Sequence, residues 1–142
     1  MNKISGPLLD RIDIQCEISP VPFKDISKAA PGEPSANIRE RVIKAREIQA
    51  NRFKDFKGIH CNAQMTERMI HQFAEPTEEG INLLRMAMEK LSLSARAYNR
   101  LLKVARTIAD LAGCENVEPQ HLAEAIGYRT LDRGDWAERG QL

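Results

Sequence analysis

Between Ser94 and Gly113, apolar residues recur with a helical period. Ala97, Leu101, Val104, Ala105, Ile108, Leu111 and Ala112 fall on one stripe. Spacings of three and four place such residues on one side of an α-helix, and a side this apolar must be buried against something. Ser94 supplies an N-cap hydroxyl and Gly113 a stop. Arg96, Arg100, Lys103 and Thr107 follow i, i+4, i+7 and i+11 spacing, so they share one polar face. The helix therefore presents a core stripe and a cationic row.

The same reading extends to both sides. Ser35 offers an N-cap, and from Ala36 the residues Ile38, Val42, Ala45, Gln49, Phe53 and Phe56 form one stripe. Arg41, Lys44 and Arg52 flank it on one side, Arg39, Arg46 and Lys57 on the other, and Gly58 ends the helix. Thr66 caps a short helix to about Ala74, with Met69, Ile70 and Phe73 apolar, and Pro76 breaks it. Thr77, Glu78, Glu79 and Gly80 open a third helix whose inner side is Ile81, Leu84, Met88 and Leu91. Pro119, at a normal first-turn position, starts a short fifth helix to about Gly127. Aromatics make up only 5% of the chain against 42% hydrophobic residues, which favours a core of Leu, Ile, Ala and Val. The fold class expected is mainly α, a helical bundle, and 142 residues suffice for one domain with a real core.

The N-terminal part reads differently. Ile12, Ile14, Cys16 and Ile18 alternate with Asp13, Gln15 and Glu17, the period of a strand. One strand is not stable alone, so this orphan β-strand pairs with something outside the chain or packs as an appendage. Pro20, Pro22, Pro31, Gly32 and Pro34 make a Pro-rich connector behind it. From Thr130 the tail is charged, Gly-punctuated and expected to fray. The division expected is 1–33 for turn, strand and connector, 34–129 for the helical domain, and 130–142 for a flexible tail.

Several chemistries are disfavoured. A net charge of +1, from 21 basic and 20 acidic residues, does not indicate an obligatory nucleic-acid binder. The basic flanks of the 36–57 helix are diluted by Glu40, Glu47 and Asp55, and no aromatic platform for bases accompanies them. Cys16, Cys61 and Cys114 have no Cys-x-x-Cys spacing, and His60, His71 and His121 are isolated, so neither a zinc site nor a disulfide framework is expected. No Gly-x-Ser-x-Gly string is present. No apolar run approaches the ~20 residues of a membrane span, and no basic start leads into an apolar signal region. The chain reads as cytoplasmic, with no membrane partner. The P-loop string Gly-x-x-x-x-Gly-Lys-Ser/Thr is also missing.

Four strings carry a family resemblance. They are Ser5 to Ile14; Gly32-Glu33-Pro34-Ser35 into Ile38-Arg39-Glu40-Arg41-Val42 and Ala45-Arg46; Leu93 to Leu111; and His121 to Ile126 through Tyr128-Arg129. Together they resemble the C-terminal part of Mg-chelatase-like AAA+ ATPases of the bacterial ComM/YifB type, over nearly the whole chain. Pro34 departs from the serine expected before the helix, while Ser35 is kept.

The resemblance implies a helical lid of an AAA+ ATPase, joined to the end of the core. It implies that Met1 is a cut or internal start in a longer protein carrying the P-loop. ATP and Mg2+ are then cofactors of the full-length protein and not of this fragment, which alone is expected to be no enzyme. Partners implied are the remaining core, neighbouring subunits of a homo-oligomeric ring, and DNA, since ComM-type members are thought to act as helicases aiding branch migration. The chelation of metal into porphyrin by a relative is not implied. By resemblance, Arg11 is the arginine finger acting in trans, and Arg96, with Arg100 as a weaker candidate, senses the γ-phosphate in cis. Guanidinium suits both roles because it stays charged and donates several hydrogen bonds to phosphate oxygens. Two other classes stay open: a helical nucleic-acid-binding module, and a protein-interaction domain in which Arg11 and Arg96 are ordinary surface residues.

Overall fold

The computed structural model describes residues 8, 11–16, 18–23 and 30–129. Within them the chain is mainly helical, with five α-helices: α1 (Ser35–Phe53), α2 (Glu67–Phe73), α3 (Glu78–Leu91), α4 (Ala95–Leu111) and α5 (Pro119–Gly127). A 3-10 turn, Asn62–Gln64, precedes α2. The expected tail, 130–142, lies outside the described residues.

Helix α4 is the hub, packing on α1, α2, α5 and the 3-10 turn, while α3 packs on α5. Its buried residues are Ala97, Leu101, Leu102, Ala105, Arg106, Ala109 and Asp110. Leu84, Met69, Ile70, Val117 and Leu122 close the core around it. Phe53, Phe56 and Phe73 meet edge to face, with centroids 5.8 to 6.4 Å apart, and fasten the end of α1 to α2.

The caps follow the sequence. Thr66, Thr77 and Ser94 accept from the amides of Met69, Gly80 and Ala97, at 3.4, 3.2 and 3.2 Å. Gly113 ends α4 with φ +70°, a conformation glycine adopts without strain. Pro119 takes the first turn of α5, and the Glu118 amide donates to Nδ1 of His121 at 3.0 Å.

Four expectations are corrected. Ser35 is not the cap of α1: Pro34 is the N-cap, with φ −60° and ψ 139°, so its fixed φ starts the helix a residue early. Helix α1 ends at Phe53 rather than near Lys57, and Phe56 reaches the core from the following turn. Ile38 and Val42 are 44% and 47% exposed, because the buried face of α1 begins only at Ala45. On α3, Gly80 is buried and Ile81 is exposed, because α5 approaches on the glycine side.

The strand expected over Ile12–Ile18 is also absent among the described residues. A ladder needs a partner strand, and the described part of the chain provides none. The segment turns instead to the helices. The Gln15 amide donates to the Tyr128 carbonyl at 2.9 Å, and Arg129 Nη1 donates to the Ile12 carbonyl at 2.8 Å.

A polar cluster lies inside the bundle. The Asp110 side chain is fully buried, and Arg52 holds both its oxygens, at 2.5 and 2.7 Å. Arg106 Nε donates to the same carboxylate at 3.1 Å, and Asn62 Nδ2 at 2.8 Å. The rest of the Arg106 fork caps the carbonyls of Glu115 and Cys114, at 2.7 and 2.6 Å. Burial pushes the Arg106 guanidinium below its usual value, while Asp110 pushes it back up. Asp110→Asn would leave two buried guanidiniums without their anion. It should cost about 3–5 kcal/mol of unfolding free energy in urea titrations. A loss under about 1 kcal/mol would contradict this account.

Gly80 provides a second check. A Cβ there would stand 2.7 Å from Leu122 Cδ1 and 3.0 Å from Pro76 Cβ. Gly80→Ala gains roughly 1 kcal/mol of helix propensity. Overpacking against the fully buried Leu122 costs about 1–3 kcal/mol. A lowered melting temperature is expected, and a raised one would show that Leu122 yields freely.

Candidate functional site

The outer side of α4 borders a groove of about 690 Å³. Arg96, Arg100, Lys103, Val104, Thr107 and Ile108 form one wall. Asp13, Ile14 and Cys16 line it from the N-terminal segment, and Glu124 and Tyr128 from the end of α5. Val104 and Ile108, expected in the core stripe, are only half-buried here, and Leu111 is 47% exposed. The core face of α4 is thus rotated from the sequence reading, toward Leu102, Arg106 and Asp110. Arg106 and Asp110 can be buried because they pair with one another, Arg52 donates to the same carboxylate, and the rest of the Arg106 fork is taken by backbone carbonyls.

The members of the cationic row have different partners. Arg96, in the first turn of α4, is exposed and has no ion pair or side-chain hydrogen bond among the described residues. Arg100 pairs with Asp13. Lys103 Nζ donates to the Ala63 carbonyl at 2.9 Å. The Thr107 hydroxyl donates to the Lys103 carbonyl at 2.9 Å and accepts from Asn62 Nδ2 at 3.1 Å, so it belongs to the buried cluster. Across the groove the Tyr128 hydroxyl donates to Glu124 at 2.9 Å, and that bond raises the phenol above its usual value.

The structure thus brings Arg96 and Arg100 to one wall. Arg11 is not on it. Arg11 is exposed at a turn, its amide donating to the Leu8 carbonyl at 3.0 Å. Arg52, Asn62 and Asp110 were missed as a constellation, since Arg52 reads from the sequence as a solvated flank. One signal pointed to them: Arg106 and Asp110 stand at i, i+4 beside the core stripe.

A free cation beside a paired one, above an apolar floor, suits phosphate oxygens better than a metal. Among the described residues no group of three or more His, Cys, Asp or Glu is placed to hold a metal ion. No described helix is long and apolar enough to cross a membrane.

Residues 32–129, which span all five helices, match the family model described as magnesium chelatase, subunit ChlI C-terminal. The chain belongs to that family. It is 41% identical over 134 residues to the competence protein ComM of Haemophilus influenzae, covering 94% of this chain and 25% of that protein. The corresponding figures for the uncharacterized protein YifB of Escherichia coli are 42%, 94% and 26%. An uncharacterized protein of Mycobacterium tuberculosis is 34% identical over 129 residues, covering 91% of this chain and 25% of that protein. The chain therefore spans about a quarter of the length of these relatives and is similar to a C-terminal domain of the ComM/YifB type.

The partners found here separate surface residues from structural ones. Arg96→Ala removes an exposed side chain without a described partner, so unfolding free energy should change by no more than about 0.5 kcal/mol. Arg106→Ala removes a guanidinium that ties Asp110 to the loop before α5, and should cost about 3 kcal/mol or more. Equal losses for the two in chemical denaturation would contradict this division.

Proposed function

We propose that this chain is the helical lid of a cytoplasmic, ring-forming AAA+ ATPase coupled to DNA remodelling. In this reading α4 carries Arg96 to the γ-phosphate of ATP bound by the same subunit, where it reports the nucleotide state. Arg100 extends the same surface. Arg11 reaches from the turn that opens the 11–16 segment toward the ATP of the neighbouring subunit. The remaining core of the protein supplies the P-loop and the Mg2+ site. This chain contributes no metal donors to the reading, so no step through the ion is assigned to its residues. By itself the chain is proposed not to hydrolyse ATP.

One observation carries the reading. Arg96 is the cation of the row with no hydrogen-bond or ion-pair partner among the described residues, and it stands in the first turn of the helix on which the bundle is built. The helix is anchored on its neighbours, so the base of the Arg96 side chain is held at the groove. Membership of the magnesium chelatase family supports the ATPase context. DNA as the substrate rests on the ComM-type resemblance.

The test is made in the full-length protein. Arg11→Ala and Arg96→Ala should each slow ATP hydrolysis, by up to ~10³-fold where the guanidinium faces charge developing on the γ-phosphate. Mixing separates them. Arg11→Ala subunits mixed with P-loop-dead subunits should regain some phosphate release, because some composite sites are then intact. Arg96→Ala subunits mixed in the same way should regain none. Wild-type hydrolysis by both variants at saturating ATP and DNA would refute the assignment.

A further inference from the structure

The segment that follows Arg11 is tied to the helical domain at three points. The Asp13 carboxylate pairs with Arg100 on α4. The Gln15 amide donates to the Tyr128 carbonyl, and Arg129, itself buried, donates to the Ile12 carbonyl. Beside these ties, Ile14 and Cys16 line the groove. Two of the ties end on backbone carbonyls. The third uses a member of the cationic row.

We propose that residues 11–16 form a strap clasped by the Asp13–Arg100 pair, and that an oligophosphate on the row opens the clasp by taking Arg100 from Asp13. Arg100 lies four residues after Arg96, so the two side chains leave the helix about 5–6 Å apart on one face. A phosphate group drawn by Arg96, which has no partner among the described residues, is therefore within reach of Arg100. It brings more charge and more acceptor oxygens than one carboxylate, and guanidinium binds it through paired hydrogen bonds. The clasp suits exchange: the side chains of Arg100 and Asp13 are 30% and 48% exposed, and pairs so exposed are weak. Glu124, the other carboxylate on the groove, accepts from Tyr128. Opening the clasp removes the side-chain tie two residues from Arg11 and leaves the strap on its two backbone ties, at Ile12 and Gln15. The hold on the strap beside Arg11 thereby depends on the occupancy of the row, with Asp13 as the positioning residue that links them.

The inference rests on the lid reading only for the identity of the anion. It is tested on this chain by amide hydrogen exchange, read by NMR at Gln15, with a core amide such as Leu102 reporting global unfolding. Asp13→Asn should speed Gln15 exchange about threefold without moving Leu102, as expected for loss of one half-exposed pair. Tripolyphosphate added to the wild type, at matched ionic strength, should do the same. The exchanged pair Asp13→Arg with Arg100→Asp should restore slow exchange at Gln15 and abolish the response to tripolyphosphate. If Asp13→Asn leaves Gln15 unchanged, the clasp is wrong. If tripolyphosphate leaves Gln15 unchanged in the wild type, the release is wrong. Neither outcome depends on hydrolysis, so the strap and the lid reading fail separately.

Discussion

The buried carboxylate of Asp110 holds the arrangement together. It takes hydrogen bonds from Arg52 on α1, Arg106 on its own helix and Asn62 in the 3-10 turn. Through Arg106 it also governs the carbonyls of Cys114 and Glu115, where the chain leaves α4 for α5. Gln49, buried on α1, accepts from the Asn62 amide at 3.0 Å and closes the same cluster. Apolar packing is non-directional and tolerates rotation of one helix against another. A carboxylate bound by two guanidiniums and an amide fixes register. Burying these charges gains little stability over apolar residues of similar size, but breaking the set is costly. The cluster is thus better understood as a lock on geometry than as a source of stability, and what it locks is the helix that carries Arg96 and Arg100.

That lock was the part of the fold least legible in the sequence. The helices were legible because apolar periodicity, the threonine and serine caps, and the Gly and Pro punctuation agreed with one another. Gln49 fell on a predicted stripe and is buried. Arg52 fell beside that stripe and reads as a solvated flank, since nothing local announces a carboxylate 58 positions away. The rotation of α4 has the same origin. Periodicity ranks Val104, Ile108 and Leu111 above Arg106 and Asp110, and only a partner on another helix reverses that order. Ile38 and Val42 failed for a different reason: a helical stripe shows which side is apolar and not where along the helix the neighbour begins.

For the candidate site, the sequence placed Arg96 and Arg100 on one face of one helix, and the structure puts both on the wall of one groove. Spacing alone distinguishes neither their partners nor the floor beneath them. Asp13 lies 87 positions from Arg100, so their pairing is a tertiary fact. The alternation of residues 12–18 reads as a strand on a period-two pattern, and the pattern itself is real. Without a neighbouring strand among the described residues to complete a ladder, the backbone groups of Ile12 and Gln15 find hydrogen-bond partners at the end of α5 instead.

The two tertiary ion pairs of α4 among the described residues therefore differ in kind. Arg52–Asp110 is shut away from water, its side chains 12% and 0% exposed, with every oxygen engaged. Opening it would leave bare charges in a low-dielectric interior, so it persists while the bundle is folded. Arg100–Asp13 is a third to half exposed, and water can replace either partner at little cost. One helix thus holds a permanent pair on its inner side and an exchangeable pair on its outer side, about three turns apart. The inner pair fixes where the outer pair stands. Because α4 keeps its position, a change of partner at Arg100 acts on the segment that Asp13 carries and not on the bundle behind it.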